Sequence, residues 1–127
     1  MGKSRPRPVF LNLFVIRLPI SGIVSIIHRV TGVALVLLLP AAIYAFQLSL
    51  ENSTQFEKIQ TWFGTWVGRS VLVLLAAVFI QHLFSGLRHL ALDIDWGVEK
   101  NTALRTAWGT LLATFVALGL LVVSRLI

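Results

Sequence analysis

The chain has 127 residues, of which 57% are hydrophobic and only 13% charged, and its mean hydropathy is +0.86. A soluble domain of this size carries about 25% charged residues, so lipid, not water, is the solvent for most of this surface. There is no cysteine, which excludes disulfides, zinc thiolates and iron–sulfur clusters built by this chain. The net charge of +6 does not point to nucleic acid, because the basic residues sit at the ends of apolar stretches, where they orient membrane spans.

The segment before the first span holds Lys3, Arg5, Arg7 and Arg17 and ends at Pro19. Ser21 is a suitable helix N-cap, and no charge occurs between Val30 and Leu50. These limits predict a first membrane helix over about 22–50, entering with Ser25, His28 and Arg29 in its first turns. It starts too late and runs too long for a signal peptide. Pro40 lies mid-span, where a kink is expected and neighbouring helices re-satisfy the freed carbonyl.

Ser25 and Arg29 are four residues apart and share a helix face, with His28 turned about 100° away. A hydroxyl and a guanidinium on one face present donors to a carbonyl oxygen or a carboxylate. The competing reading is an arginine that snorkels to orient the helix, with the serine bonded back to its own backbone.

A second apolar run predicts a span over about 63–92, ending in His82-Leu-Phe-Ser-Gly86-Leu-Arg88-His89-Leu-Ala-Leu-Asp93. His82, Gly86, His89 and Asp93 form a single stripe on a helix. His82 lies six residues, about 9 Å, deeper than Arg88, where a neutral imidazole is favoured and serves well as an axial ligand to haem iron. Gly86 is expected to leave room for a flat macrocycle. His89 and Arg88 lie nearer the interface, where propionates, lipid headgroups or a partner's acids are within reach. The competing reading makes His82 a packed histidine bonded to a neighbouring helix. With one deep histidine, a haem held at two axial positions needs its second ligand from another chain.

The third span is predicted over about 105–125. Gly109, Ala113 and Ala117 line one face, and Gly64 and Gly68 are similarly spaced before the second span; both patterns suit close helix approach. Trp62, Trp66, Trp96 and Trp108 fall near span ends, as interfacial aromatics do. Eight of the eleven basic residues lie on one side of the three spans and three on the other, which predicts a cytoplasmic N-terminus and an external C-terminus. The expectation is therefore an all-α membrane protein of three helices in one anchor domain over 1–127.

The two polar clusters also carry a resemblance. Ser25-Ile-Ile-His28-Arg29-Val-Thr31-Gly32, preceded by Arg17-Leu-Pro19-Ile, resembles the SxxHRxTG signature of the cytochrome b subunit of succinate dehydrogenase. The run from His82 to Asp93 resembles the same family's HxxxGxRHLxxD signature, and Arg5-Pro6 or Arg7-Pro8 its N-terminal Arg-Pro element. Phe10 to Phe14 is more apolar, and the Pro-rich start shorter, than in longer relatives.

The resemblance implies the larger membrane anchor of respiratory complex II in a bacterial inner membrane. Its partners would be a small membrane-anchor subunit, an iron–sulfur subunit and a flavoprotein. It implies haem b ligated by His82, with the second axial ligand from the small anchor, and a ubiquinone site lined by Ser25 and Arg29. It further places His28, Arg29 and His89 near the haem propionates. Asp93 is read as an interfacial partner of Arg88 or His89. Catalysis of succinate oxidation belongs to the partners. Two alternatives are kept: the anchor of a quinol:fumarate reductase, and a haem-free membrane assembly or anchoring protein. A small transporter is disfavoured, because intramembrane acids and an inverted repeat are missing.

Overall fold

The structure is a computed structural model and describes residues 18–124. The predicted Arg-Pro element, Lys3, Arg17 and the Phe10–Phe14 run lie outside the described residues, as does Arg125. Four helices follow in order: α1 (Ile20–Glu51), α2 (Ser53–Gly64), α3 (Trp66–Asp93) and α4 (Lys100–Ser124). Three of them, α1, α3 and α4, are long and apolar enough to cross a membrane, giving an all-α protein of three spans. Helix α1 packs on α3 and α4, and α3 packs on α4.

The bundle is polar inside and apolar outside. Thr31, Gln81, Ser85, Arg88, Thr110 and Thr114 are buried, whereas the buried apolar residues are Val24 and Ala107. Val36, Leu37 and Phe115 each leave about seven-tenths of their surface open. In lipid, burying a leucine between helices gains little over leaving it against acyl chains. Small residues and interhelical hydrogen bonds therefore select the interior.

Helix α1 begins two residues earlier than predicted. Pro19, in extended conformation, supplies the carbonyl that accepts from the amides of Gly22 and Ile23 at 2.9 and 3.2 Å. Ser21 consequently lies inside the first turn instead of capping it, and the helix continues on both sides of Pro40.

The connection after α1 is itself helical, which the sequence reading missed, and the predicted start of the second span at 63 is moved accordingly. Asn52 caps α2 by accepting from the Gln55 amide at 3.0 Å. Thr65 then serves both helices: its amide and hydroxyl donate to the Trp62 carbonyl, while its oxygen accepts from Gly68 of α3 at 3.1 Å. A Cβ on Gly68 would sit 2.7 Å from the Phe63 Cα, so this glycine forms the corner between α2 and α3. A Cβ on Gly64 or Gly109 would meet nothing within 4 Å, so neither supports a close helix crossing in this chain.

At the far end of α3, the Trp96 amide reaches back to the Ala91 carbonyl (2.9 Å) and the Asp95 amide to that of Leu92 (3.0 Å). This pair of bonds is the Schellman closure, which needs a left-handed residue. Asp95 takes that conformation, with φ of 61°, as aspartate tolerates better than most side chains. The turn is short enough that α4 starts at Lys100, five residues before the predicted boundary.

Candidate functional site: an imidazole stack beside a groove

Helices α1 and α3 run antiparallel and meet through a repeated His-x-x-x-Gly element, His28–Gly32 on α1 and His82–Gly86 on α3. Each histidine packs over the other helix's glycine. A Cβ on Gly32 would lie 3.0 Å from His82 Cε1, and one on Gly86 would lie 3.2 Å from His28 Cε1. Both distances are tighter than ordinary contact, so the missing side chains make room for the rings. Gly86 had been expected to clear space for a macrocycle; its open side is instead filled by His28.

The rings stack in a column. His28 lies 4.1 Å from His82 with an interplanar angle of 11°, and 4.9 Å from His89 with an angle of 21°. Hydrogen bonding gives the three imidazoles the same tautomer. His82 Nδ1 stands 3.1 Å from the His28 carbonyl and 3.3 Å from Thr31 Oγ1. The carbonyl can only accept, so Nδ1 carries the proton.

The Thr31 hydroxyl donates to the carbonyls of Ile27 (2.8 Å) and His28 (3.0 Å), which leaves its lone pairs facing His82. Ser85 donates to the Gln81 carbonyl at 2.6 Å and therefore accepts from His28 Nδ1 at 3.0 Å. His89 Nδ1 donates to the Ser85 carbonyl at 2.6 Å. In each ring Nε2 keeps a lone pair. Committing one ring nitrogen to a carbonyl while the other stays basic is the usual way a protein prepares a histidine for a metal.

A groove of about 510 Å³ opens beside the stack, lined by His28, Arg29, Gly32, Val33, Val36, Leu37 and His82. Its walls are apolar except for the two imidazoles and the exposed guanidinium of Arg29. Ser25 is half-buried one turn before Arg29 and is not part of this lining. No cluster of three or more ligating side chains that could hold a metal ion alone occurs among the described residues. The His28 and His82 rings lie in a parallel stack with centroids 4.1 Å apart, too close for a metal ion to sit between them. Two axial ligands of one iron must face each other, so this pair cannot supply both.

The remaining predicted residues separate from the stack. Arg88 is buried and turned toward α4, where Nε donates to Thr106 Oγ1 (3.2 Å) and Nη2 to the Ala103 carbonyl (3.1 Å). The expected pairing of Arg88 with Asp93 or His89 is not what the geometry gives: these bonds draw it toward α4, to the opposite side of α3. Asp93 is exposed at the last turn of α3. Sequence reasoning missed Thr31, Gly32 and Ser85 as the residues that hold the rings. The repeated His-x-x-x-Gly spacing was the available signal.

Residues 3–121 match the family described as succinate dehydrogenase/fumarate reductase transmembrane subunit. The succinate dehydrogenase cytochrome b556 subunit of Coxiella burnetii is 29% identical over 88% of this chain and 90% of its own length. The subunit of that name from Paracoccus denitrificans is 32% identical over 76% of this chain and 75% of its own, and that from Rickettsia felis 33% over 80% and 79%. The match spans all three apolar helices and both histidine-bearing elements, and the chain belongs to the succinate dehydrogenase/fumarate reductase transmembrane subunit family.

Proposed function

We propose that this chain is the cytochrome b anchor of a succinate:ubiquinone oxidoreductase, holding haem b jointly with a small anchor subunit and forming part of the ubiquinone-reduction site. The observation that carries the reading is His82, whose Nδ1 is committed to α1 and whose Nε2 stays basic beside an apolar groove. The residues fit the group: Gly32 keeps the ring's position clear of a side chain. A second protein ligand to the haem would come from the partner, because the His28 ring is stacked parallel on His82 at 4.1 Å. Haem b, when bound, supplies a one-electron carrier.

Arg29 stands at the groove with five N–H donors and, with Ser25 one turn away, donates to a quinone carbonyl. Those bonds strengthen as negative charge develops on that oxygen during reduction. His28 and His89 continue the stack away from His82 and, with Arg29, form the polar end toward the haem propionates. The chain docks an iron–sulfur subunit and a flavoprotein on the side where eight basic residues gather, which the positive-inside rule makes the cytoplasmic face of a bacterial inner membrane. Succinate oxidation belongs to those partners. The names of the bacterial relatives, all cytochrome b556 subunits of succinate dehydrogenase, support this reading over the fumarate-reducing alternative.

The test is a reduced-minus-oxidised optical spectrum of the affinity-purified chain, with its co-purifying proteins identified and assayed with succinate and with fumarate. A b-type haem band with flavin- and iron–sulfur-bearing partners is expected. A chain purified intact with neither haem nor such partners would sink the proposal.

A further inference from the structure

Arg88 is a buried cation without a carboxylate partner among the described residues. The chain has five acidic side chains, Glu51, Glu57, Asp93, Asp95 and Glu99, all among the described residues. The guanidinium's hydrogen bonds go to Thr106 and the Ala103 carbonyl, both neutral. Two of its five N–H groups are thereby used, and three remain. Arg88, with 8% of its surface exposed, holds its charge away from water, and an anion close by offsets that cost. A slot of about 180 Å³ adjoins it between α3 and α4, lined by Leu87, Arg88, Ala91, Leu92, Trp96 and Thr106.

We propose that this slot binds the phosphodiester of an anionic glycerophospholipid, with Arg88 as its counter-ion. Two features select a lipid. Arg88 stands five residues from the end of α3, and the slot's rim is Trp96, 69% exposed just beyond that end; this is the depth at which indoles and headgroups meet. The remaining walls are chiefly the aliphatic side chains of Leu87, Ala91 and Leu92, which suit the first carbons of an acyl chain. The slot also lies on the α4 side of α3, away from the α1 groove where the partner's axial ligand is expected. The planar guanidinium offers paired N–H donors to two phosphate oxygens, so the headgroup neutralises the charge and locks α3 to α4.

The experiment is native mass spectrometry of the detergent-purified complex, delipidated and then titrated with dioleoyl phosphatidylglycerol. The wild-type complex should retain one tightly held phosphatidylglycerol per copy of this chain. In Arg88→Gln the affinity should fall by about tenfold or more, while Arg105→Gln, an exposed cation early in α4, should bind as wild type does. If Arg88→Gln does not assemble, Leu87→Trp carries the test. That position is 55% exposed, and the larger ring fills the slot while Arg88 keeps its two hydrogen bonds, so the retained lipid should be lost. Equal retention by wild type and Arg88→Gln, or by Leu87→Trp, overturns the proposal. So does a wild-type complex that keeps no lipid while Arg88→Gln releases a neighbouring subunit, which would assign the anion to that subunit's carboxylate.

Discussion

The two interfaces of α3 use similar residues to different ends. Toward α4, Gln81 meets Thr114 and Arg88 meets Thr106, and these contacts tie one helix to the next. Toward α1, His28, His82 and His89 are tied down through one nitrogen each, and the second nitrogens of His28 and His82 are left over beside a groove. A polar residue in a membrane bundle is therefore not by itself a functional signal. What separates glue from a binding site is whether hydrogen-bonding capacity remains after the helices are joined.

That distinction can be broken most directly at His82. His82→Ala removes the prepared Nε2 and should abolish the haem Soret band of the purified complex, while all three spans still insert. An unchanged spectrum would remove His82 as ligand. Arg29→Leu should come next in size. Losing a charge-assisted donor costs about 1.5–3 kcal/mol, so quinone reduction should fall by roughly one to two orders of magnitude, while succinate-driven reduction of an artificial dye is spared. Equal loss of both activities would point to faulty assembly.

Gly32→Ala tests the groove side more gently. The new methyl would stand 3.0 Å from His82 Cε1, and such overpacking costs about 1–3 kcal/mol. The haem band should shift or weaken. Gly109→Ala on α4 meets nothing within 4 Å and should leave both spectrum and stability unchanged. Equal behaviour of the two variants would show that the reciprocal glycine packing does not matter.

Much of the fold was legible because hydropathy responds to lipid alone: the three spans follow from uncharged runs. Helix ends were less legible. Pro19 rather than Ser21 opens α1, and Asp95 reverses the chain early enough for α4 to begin at Lys100; both outcomes depend on backbone geometry that composition does not record. Helix α2 was missed because its apolar stripe, Phe56, Ile59 and Phe63, is short and lies beside a stronger span signal. At the candidate site, His82, His28, His89 and Arg29 could be named from type and depth. The direction of Arg88 could not, since a helix places it near both His89 and α4 and only packing decides. Nor could the roles of Thr31 and Ser85, whose hydroxyls acquire meaning only when the other helix is present.

The smallest predicted effect lies on the glue side, at Gln81 and Thr114. Thr114 has one hydroxyl proton and two acceptors in reach, Gln81 Oε1 at 2.8 Å and the Thr110 carbonyl at 2.9 Å, while Gln81 Nε2 is buried without a partner. Turning the amide about its last bond resolves this. Nε2 then donates to Thr114, Thr114 donates to Thr110, and only an acceptor is left unpaired, which costs less than an unpaired donor. Thr114→Val should then destabilise the assembled protein modestly, since interhelical bonds of this kind average about 0.6 kcal/mol. Adding Gln81→Leu to Thr114→Val should recover part of that loss, because removing both partners leaves no stranded polar group. Thermal retention of the intact complex across the four combinations measures the coupling, and the haem spectrum should stay constant throughout. A spectrum that follows Thr114 would mean that the α4 side of α3 is not separable from the histidine side after all.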